Sequence, residues 1–237
     1  MGSNPKISVV TVCFNAVNYI EKTIESVLCQ TFEDYEYLII DGGSTDGTLD
    51  IIRSYEGNVH IRWISEPDKG IYDAMNKGIA MASGEWLNMM NAGDCFASND
   101  VLEKIFKEQY SKDTSFIYSD RYVKNNGVIS LSKHDHEKKK INHQSSIYRR
   151  SLHDKFGYYI VTPKIIVSDL LFFLAIPKNE FKKVDTIIAM TDAGGVSSGI
   201  WCIEQEVCAR VVFREYTFGQ MLIHYISKRI KKAFHII

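Results

Sequence analysis

Carboxylates and small polar residues recur along this chain in groups that could do chemistry. The first group is Asp41-Gly42-Gly43-Ser44-Thr45-Asp46-Gly47. A carboxylate heading such a loop can accept hydrogen bonds from the ring N–H of a nucleobase or from ribose hydroxyls. The glycines, Gly43 among them, let backbone approach a flat ligand. The same loop also suits helix capping, a role that fits Asp46 better than Asp41. The second group is Asn91-Ala92-Gly93-Asp94. Asp94 offers oxygen to a divalent cation such as Mg²⁺ or Mn²⁺, which could clamp a diphosphate; taken alone, the tetrapeptide reads rather as a plain turn. In the third, residues 66–76, Asp68 reads as a helix N-cap. Lys69 either reaches a phosphate at that helix start or is simply solvated. Asp169 is the only acid between residues 155 and 179, and apolar neighbours would raise its pKa.

Strands and helices must carry these groups. Residues 7–12 form a β-branched run suited to a strand buried on both faces. Asn18 reads as the cap of a helix whose apolar positions are Ile20, Ile24, Val27 and Leu28, with Glu21 completing a capping box. A second strand over 35–40 ends at Asp41, and Leu49, Ile52 and Tyr55 mark the next helix. A third strand over 59–64, a helix over 70–82 and a fourth strand over 86–90 follow, the last running into Asn91–Asp94. This βαβαβαβ order predicts an α/β fold with a mostly parallel sheet, whose ligands gather at the carboxyl ends of the strands, where Asp41 and Asp94 fall. Beyond residue 100 the pattern gives a helix at Val101–Phe106, strands at 116–119 and 128–131, a charged and mobile loop over 133–140, a helix over 165–176 and a basic amphipathic helix over 218–234. No repeat or linker interrupts the chain, so it reads as one domain, 1–237, with a ligand-binding part over about 5–100 and a second part over about 101–237.

Composition narrows the classes. A formal net charge of −1 gives no basic field for nucleic acid. The five cysteines are scattered without a CxxC pair, which argues against zinc and predicts reduced, mostly buried thiols of a cytoplasmic protein. No secretory signal or membrane-spanning run is evident. The loop after the first strand, Cys13-Phe14-Asn15-Ala16, lacks the GxGxxG turn of an NAD-dependent oxidoreductase.

Taken in order, ISVVTVCFN, DGGSTDGT, SEPDKGIYDAMNKGIAMASGEW and LNMMNAGD resemble the inverting family 2 glycosyltransferases of bacterial surface-polysaccharide pathways. The match is strongest over residues 6–100 and continues weakly through His143-Gln144, Ser168-Asp169 and Asp192–Ser197, the His-Gln pair and the Gly-Gly-Val-Ser segment resembling a colanic-acid-transferase-like branch. The resemblance implies an A-type glycosyltransferase fold, a Rossmann-like sheet with an acceptor lobe. It implies that Thr11 and Asn15 line the nucleotide pocket, that Asp41 reads the base, usually uracil, and that Asp94 is the metal ligand. Gly93 stands where the family often has a second aspartate, with Asn91 positioned to take part of the donor contact. Asp169 matches the general base that deprotonates the acceptor, with Asp192 as its competitor. His143 borders the donor-sugar or acceptor site. The implied partners are a nucleotide-sugar donor, a UDP sugar on this resemblance, and a saccharide or lipid-linked saccharide acceptor. The basic C-terminal helix suggests contact with the inner face of an anionic membrane. A catalytically inactive nucleotide- or sugar-binding homologue is the competing class.

Overall fold

The computed structural model describes residues 4–138, 140–193 and 200–233. Its first half alternates strictly: β1 (Ile7–Cys13), α1 (Ile20–Leu28), β2 (Tyr35–Asp41), α2 (Thr48–Ser54), β3 (Ile61–Ser65), α3 (Ile71–Met81) and β4 (Trp86–Met89). All of β1 is buried, and its side chains alternate between two cores. Ile7, Val9 and Cys13 pack with Ile20, Ile24 and Val27 of α1 and Ile52 of α2. Val10 and Val12 pack with Tyr72, Met75 and Ile79 of α3. Helices thus cover both faces, which is why the strand reads as a continuous apolar run.

Two boundaries differ from the sequence reading. α1 follows Tyr19 without a side-chain cap, so Asn18 does not cap it; the amides of Tyr19 and Ile20 are taken by the carbonyl of Ala16 instead. β3 begins at Ile61 because Asn58 turns the chain first, accepting from the amides of His60 and Ile61, and leaves Val59 on the surface.

The second half adds β5 (Cys95–Phe96), α4 (Val101–Lys107), β6 (Phe116–Tyr118), β7 (Arg121–Asn125), β8 (Val128–Ser132), β9 (Ser146–Arg149), α5 (Ser151–Phe156), α6 (Ser168–Ala175), β10 (Phe181–Lys183), β11 (Ala189–Asp192), α7 (Ile200–Val212) and α8 (Phe218–Ala233). Seven strands form the main sheet in the order β10-β6-β9-β4-β1-β2-β3. β1 runs parallel to β2 and β4, while β9 is inserted antiparallel between β4 and β6. That insertion positions the site: Asn88 of β4 pairs with Ile147 of β9, so the chain just before β9 runs beside the turn that follows β4. A second sheet, β5-β11-β7-β8, was not legible as a unit in the sequence.

Part of the run that begins at residue 133 is built into the fold. His134 is buried, with Nδ1 near Ser119 O (2.8 Å) and Ser145 Oγ (3.0 Å), and Asp135 bridges Lys140 through the backbone. The expectation of mostly buried cysteines fails: of the five, Cys13 is buried, while Cys29 and Cys208 are exposed. Among the described residues, no helix is long and apolar enough to cross a membrane.

Candidate active site

Asp41 ends β2 with no exposed surface. Its Oδ2 accepts from Gly43 N (3.0 Å), Ser44 N (2.9 Å) and Ser65 Oγ (2.7 Å), and its Oδ1 from Ser44 Oγ and from Cys13 Sγ (3.6 Å). Burial pushes this carboxyl up, but the hydrogen bonds from Ser44, Ser65 and Gly43 outweigh it and hold Asp41 below the usual carboxylate range. Its acceptors are spent on its own loop and on the ends of β1 and β3. Asn15, at a positive φ of 48°, locks the neighbouring turn: its amide donates to Ser44 Oγ (2.7 Å) and its Oδ1 accepts from Thr45 N (2.9 Å). Asp46 ties the start of α2, accepting from Thr48 N (3.0 Å) and Val17 N (3.1 Å). Thr11 departs from expectation. It is fully buried, donating to Met90 O (2.7 Å) and meeting Tyr37 OH (2.9 Å), so it fastens β1 to the chain after β4 and has no surface in a pocket.

The entry to α3 also differs. Gly70 precedes the helix, and Asp68 instead forms a turn in which Oδ1 accepts from Gly70 N (2.8 Å). Asp73 takes the amide of Lys69 (3.0 Å), whose side chain lies at an exposed position.

Across the sheet, Asn91–Asp94 folds as a turn closed by Asp94 N on Asn91 O (3.0 Å). Gly93 has φ 102°, a conformation that costs a residue with a side chain roughly 1–2 kcal/mol. An aspartate at this position would be strained in the turn as it stands. Asn88 donates to the carbonyls of Gln144 and Ser146 (3.1 and 2.8 Å), fixing the chain ahead of β9. The adjacent side chains His143 and Gln144 then reach in two directions. Gln144 Nε2 donates to Asp94 Oδ2 (2.6 Å). His143 Nδ1 lies 2.9 Å from Asp169 Oδ2, and its Nε2 lies 3.0 Å from Asn91 Nδ2. Asp169, in the first turn of α6, receives Tyr72 OH on its other oxygen at 2.8 Å. Neither Ser168 nor Asp169 caps α6; Ser168 Oγ instead accepts from Ile160 N (2.6 Å).

Two carboxylates are thus bridged by one His–Gln pair. Their electrostatics oppose each other. Burial pushes Asp94 up, against the pull of Gln144 and of the nearby His143, Arg121 and Lys22. Burial also pushes Asp169 up, but His143 and Tyr72 prevail and hold it below the usual range. The net direction is therefore the reverse of the sequence reading, in which apolar surroundings alone set it. Burial and Asp169 push the Tyr72 phenol up, so it remains a hydrogen-bond donor to Asp169.

Asp192 stands apart, exposed and paired with Lys22 at 2.7 Å; residues 194–197 of its motif lie outside the described residues. Tyr72 and Arg121 were not singled out from sequence. Tyr72 sits on the apolar face of α3 and looks like core, and nothing local distinguishes Arg121 from other charged residues of β7.

The oxygens near Asp94 suit a hard divalent cation. Asn91 Oδ1 and Gln144 Oε1 are buried without a hydrogen-bond partner, and both are neutral oxygen ligands of the kind Mg²⁺ and Mn²⁺ accept. Among the described residues no group of three or more His, Cys, Asp or Glu could hold a metal, so the protein would supply one carboxylate and the ligand the remaining charge.

A solved structure of S. aureus TarS residues 1–349 in complex with UDP-GlcNAc superposes with a TM-score of 0.71 at 18% identity, covering 87% of this chain and 66% of that one. The mannosyltransferase PcManGT of Pyrobaculum calidifontis, in complex with GDP-Man and Mn²⁺, gives 0.68 at 14% identity over 91% of this chain and 66% of its own. Both are likenesses of fold. In sequence, the chain is 30% identical over 170 residues to a PGL/p-HBAD biosynthesis glycosyltransferase of Mycobacterium tuberculosis, covering 68% of this chain and 66% of that protein. It is 36% identical over 169 residues to an uncharacterized glycosyltransferase of the same species, covering 67% of this chain and 64% of that one. The chain therefore spans just under two thirds of the length of these relatives. The profile described as glycosyl transferase family 2 matches residues 8–171, which include both strand-end loops, the His–Gln pair and Asp169. The chain belongs to glycosyl transferase family 2.

Proposed function

We propose that the chain is an inverting glycosyltransferase. It moves a sugar from a UDP sugar to a hydroxyl of a saccharide or lipid-linked saccharide in surface-polysaccharide synthesis. The observation that carries this reading is the pair of carboxylates, Asp94 and Asp169, bridged by Gln144 and His143. One lies at the carboxyl end of a parallel strand among orphaned oxygens; the other heads a helix facing it.

In this reading Asp169 is the general base. His143 and Tyr72 keep it ionised and fix its orientation, so an acceptor hydroxyl meets a carboxylate ready to take its proton as the oxygen attacks the anomeric carbon. Attack opposite the leaving diphosphate inverts the centre in one displacement. Asp94, with Asn91 and Gln144 beside it, would hold Mg²⁺ or Mn²⁺ against the diphosphate. Such an ion supplies electrostatic stabilisation of the departing charge. Lys69 stands at an exposed position before α3, suited to the same charge. Asn15 and Gly43 shape the nucleotide side, and Asp41 holds their loop closed.

The first test is calorimetric binding of UDP, GDP, CDP, ADP and NAD with and without Mn²⁺, followed by turnover with UDP sugars. Metal-dependent binding of UDP with NAD silent is expected. Tight NAD binding, or silence from every nucleotide, would sink the reading.

We also infer that the chain works at the cytoplasmic face of a membrane. Phe218, Leu222, Ile226 and Ile230 follow the i, i+4 spacing of one helical face on α8, all exposed, with Ile223 beside them and Lys228 and Arg229 near the end. Flotation with vesicles containing anionic lipid should recover the chain, and Ile223→Glu with Ile226→Glu should release it. Equal flotation of the variant, or none by the wild type, would reject this.

A further inference from the structure

Asp41 is closed off by its own loop: it has no exposed surface and accepts five hydrogen bonds. A second carboxylate stands over the same loop. A Cβ placed on Gly42 would collide with Asp68 Oδ2, and would lie 3.1 Å from Asp68 Cγ and 3.3 Å from Phe14 Cδ2. Gly42 is outside the left-handed region, so its backbone tolerates a side chain. What excludes one is the Asp68 carboxylate, which fills that space from the loop after β3. Asp68 is anchored by one oxygen only: Oδ1 accepts from Gly70 N at 2.8 Å, while Oδ2 makes no hydrogen bond or ion pair among the described residues. Beside it, Phe14 is 62% exposed, a large aromatic ring left on the surface at the carboxyl end of β1. An exposed ring and an unspent carboxylate oxygen meet where β1, β2 and β3 end.

We propose that Asp68, rather than Asp41, reads the nucleobase of the donor. Oδ2 accepts the ring N–H of uracil, and Phe14 stacks on the base. This rests on the transferase reading and names the recognition element within it. The chemistry selects bases with a ring N–H at the Watson–Crick edge, which uracil and guanine have. Cytosine and adenine present a lone pair there, which a carboxylate repels.

The test is calorimetry on the whole chain with Mn²⁺, using UDP, N3-methyl-UDP, GDP, CDP and ADP. The wild type should bind UDP about 10- to 100-fold more tightly than CDP and N3-methyl-UDP, the range for one hydrogen bond to a charged group. Asp68→Asn places an N–H donor where Oδ2 was. It should weaken UDP by about 10-fold or more and bring CDP level with it or ahead. Combining Asp68→Gly with Gly42→Asp returns a carboxylate to the same space from the neighbouring loop and should restore the preference for UDP. Phe14→Ala should weaken every nucleotide alike, by about 10-fold, without changing their order. A preference for GDP over UDP that Asp68→Asn also abolishes supports Asp68 and moves the donor to a guanine nucleotide.

If UDP binds but N3-methyl-UDP binds equally well, or if a folded Asp68→Asn variant keeps the wild-type ratio of UDP to CDP, the assignment is overturned while the transferase reading stands. If no nucleotide binds the wild type, the transferase reading fails and this one with it. The N3-methyl comparison needs no variant, so a misfolded substitution does not block the decision.

Discussion

Asp41 and Asp169 are two carboxylates on one sheet-and-helix frame, both held below their ordinary pKa, yet they are suited to different work. Asp41 is enclosed by donors from its own loop, from the end of β1 and from the end of β3. Asp169 has two side-chain partners, one on each oxygen, and 22% of its side chain still meets solvent. Position at a strand or helix end does not by itself make a ligand site. What matters is how much acceptor capacity remains after the fold has taken its share. Asp41 stabilises; Asp169 has lone pairs left for a proton.

Removing the proposed base should give the largest effect. Asp169→Asn should lower kcat by about 10²- to 10⁴-fold, with UDP affinity in Mn²⁺ close to wild type. A variant with unchanged turnover would erase the contrast between the two aspartates.

Asp94→Asn should follow, with a loss of about 10²-fold in metal-stimulated turnover. Unlike Asp169→Asn, it should also weaken UDP binding in Mn²⁺ while leaving the metal-free affinity nearly unchanged. Chelation of the wild type should reproduce that pattern. Metal-independent UDP binding in both proteins would remove Asp94 from the donor side of the site.

Asp41→Asn tests the other half of the comparison. It should cost stability, about 2–3 kcal/mol from the loss of charged hydrogen bonds, or roughly 5–10 °C in Tm for a chain of this size. Because folding depresses the pKa of Asp41, its contribution is fully present above the unfolded value and disappears as pH falls below the ordinary 3.8. The Tm difference between wild type and variant should therefore shrink in acid. Normal stability combined with lost UDP binding would return Asp41 to a ligand role.

The sequence made one half of the comparison far easier to read than the other. Strands at β1, β2 and β4 and the loops after them were legible because apolar runs and Gly-Ser-Asp loops are local patterns. Asp169 was legible as an isolated acid before an apolar helix. What stayed hidden was capacity. Ser65 and Cys13 reach Asp41 from 24 and 28 residues away, and Tyr72 reaches Asp169 from 97. Such partners are set by sheet order, including the antiparallel insertion of β9, which no short window contains. The depressed pKa of Asp169 was misjudged for the same reason: the flanking sequence supplies apolar neighbours, whereas the fold supplies a histidine and a phenol. Thr11 was placed in the nucleotide pocket by the resemblance, and a motif position does not say what covers the side chain in this chain.

The smallest expected effect sharpens the comparison most. Tyr72→Phe removes one of the two donors to Asp169 and leaves a ring of nearly the same volume in the core. The fold should hold, and His143 should still orient the carboxylate. With one stabilising hydrogen bond gone, the ionised form of Asp169 is less favoured and its pKa rises toward the ordinary value. The acid limb of the kcat/KM profile should then move to higher pH, with the rate on the neutral plateau changed by no more than about threefold. A purely structural tyrosine would instead lower Tm and leave the limb where it was. The same deletion on Asp41, Ser65→Ala, should show the inverse: a lower Tm and an unmoved limb, because four donors still face that carboxylate and no proton passes through it.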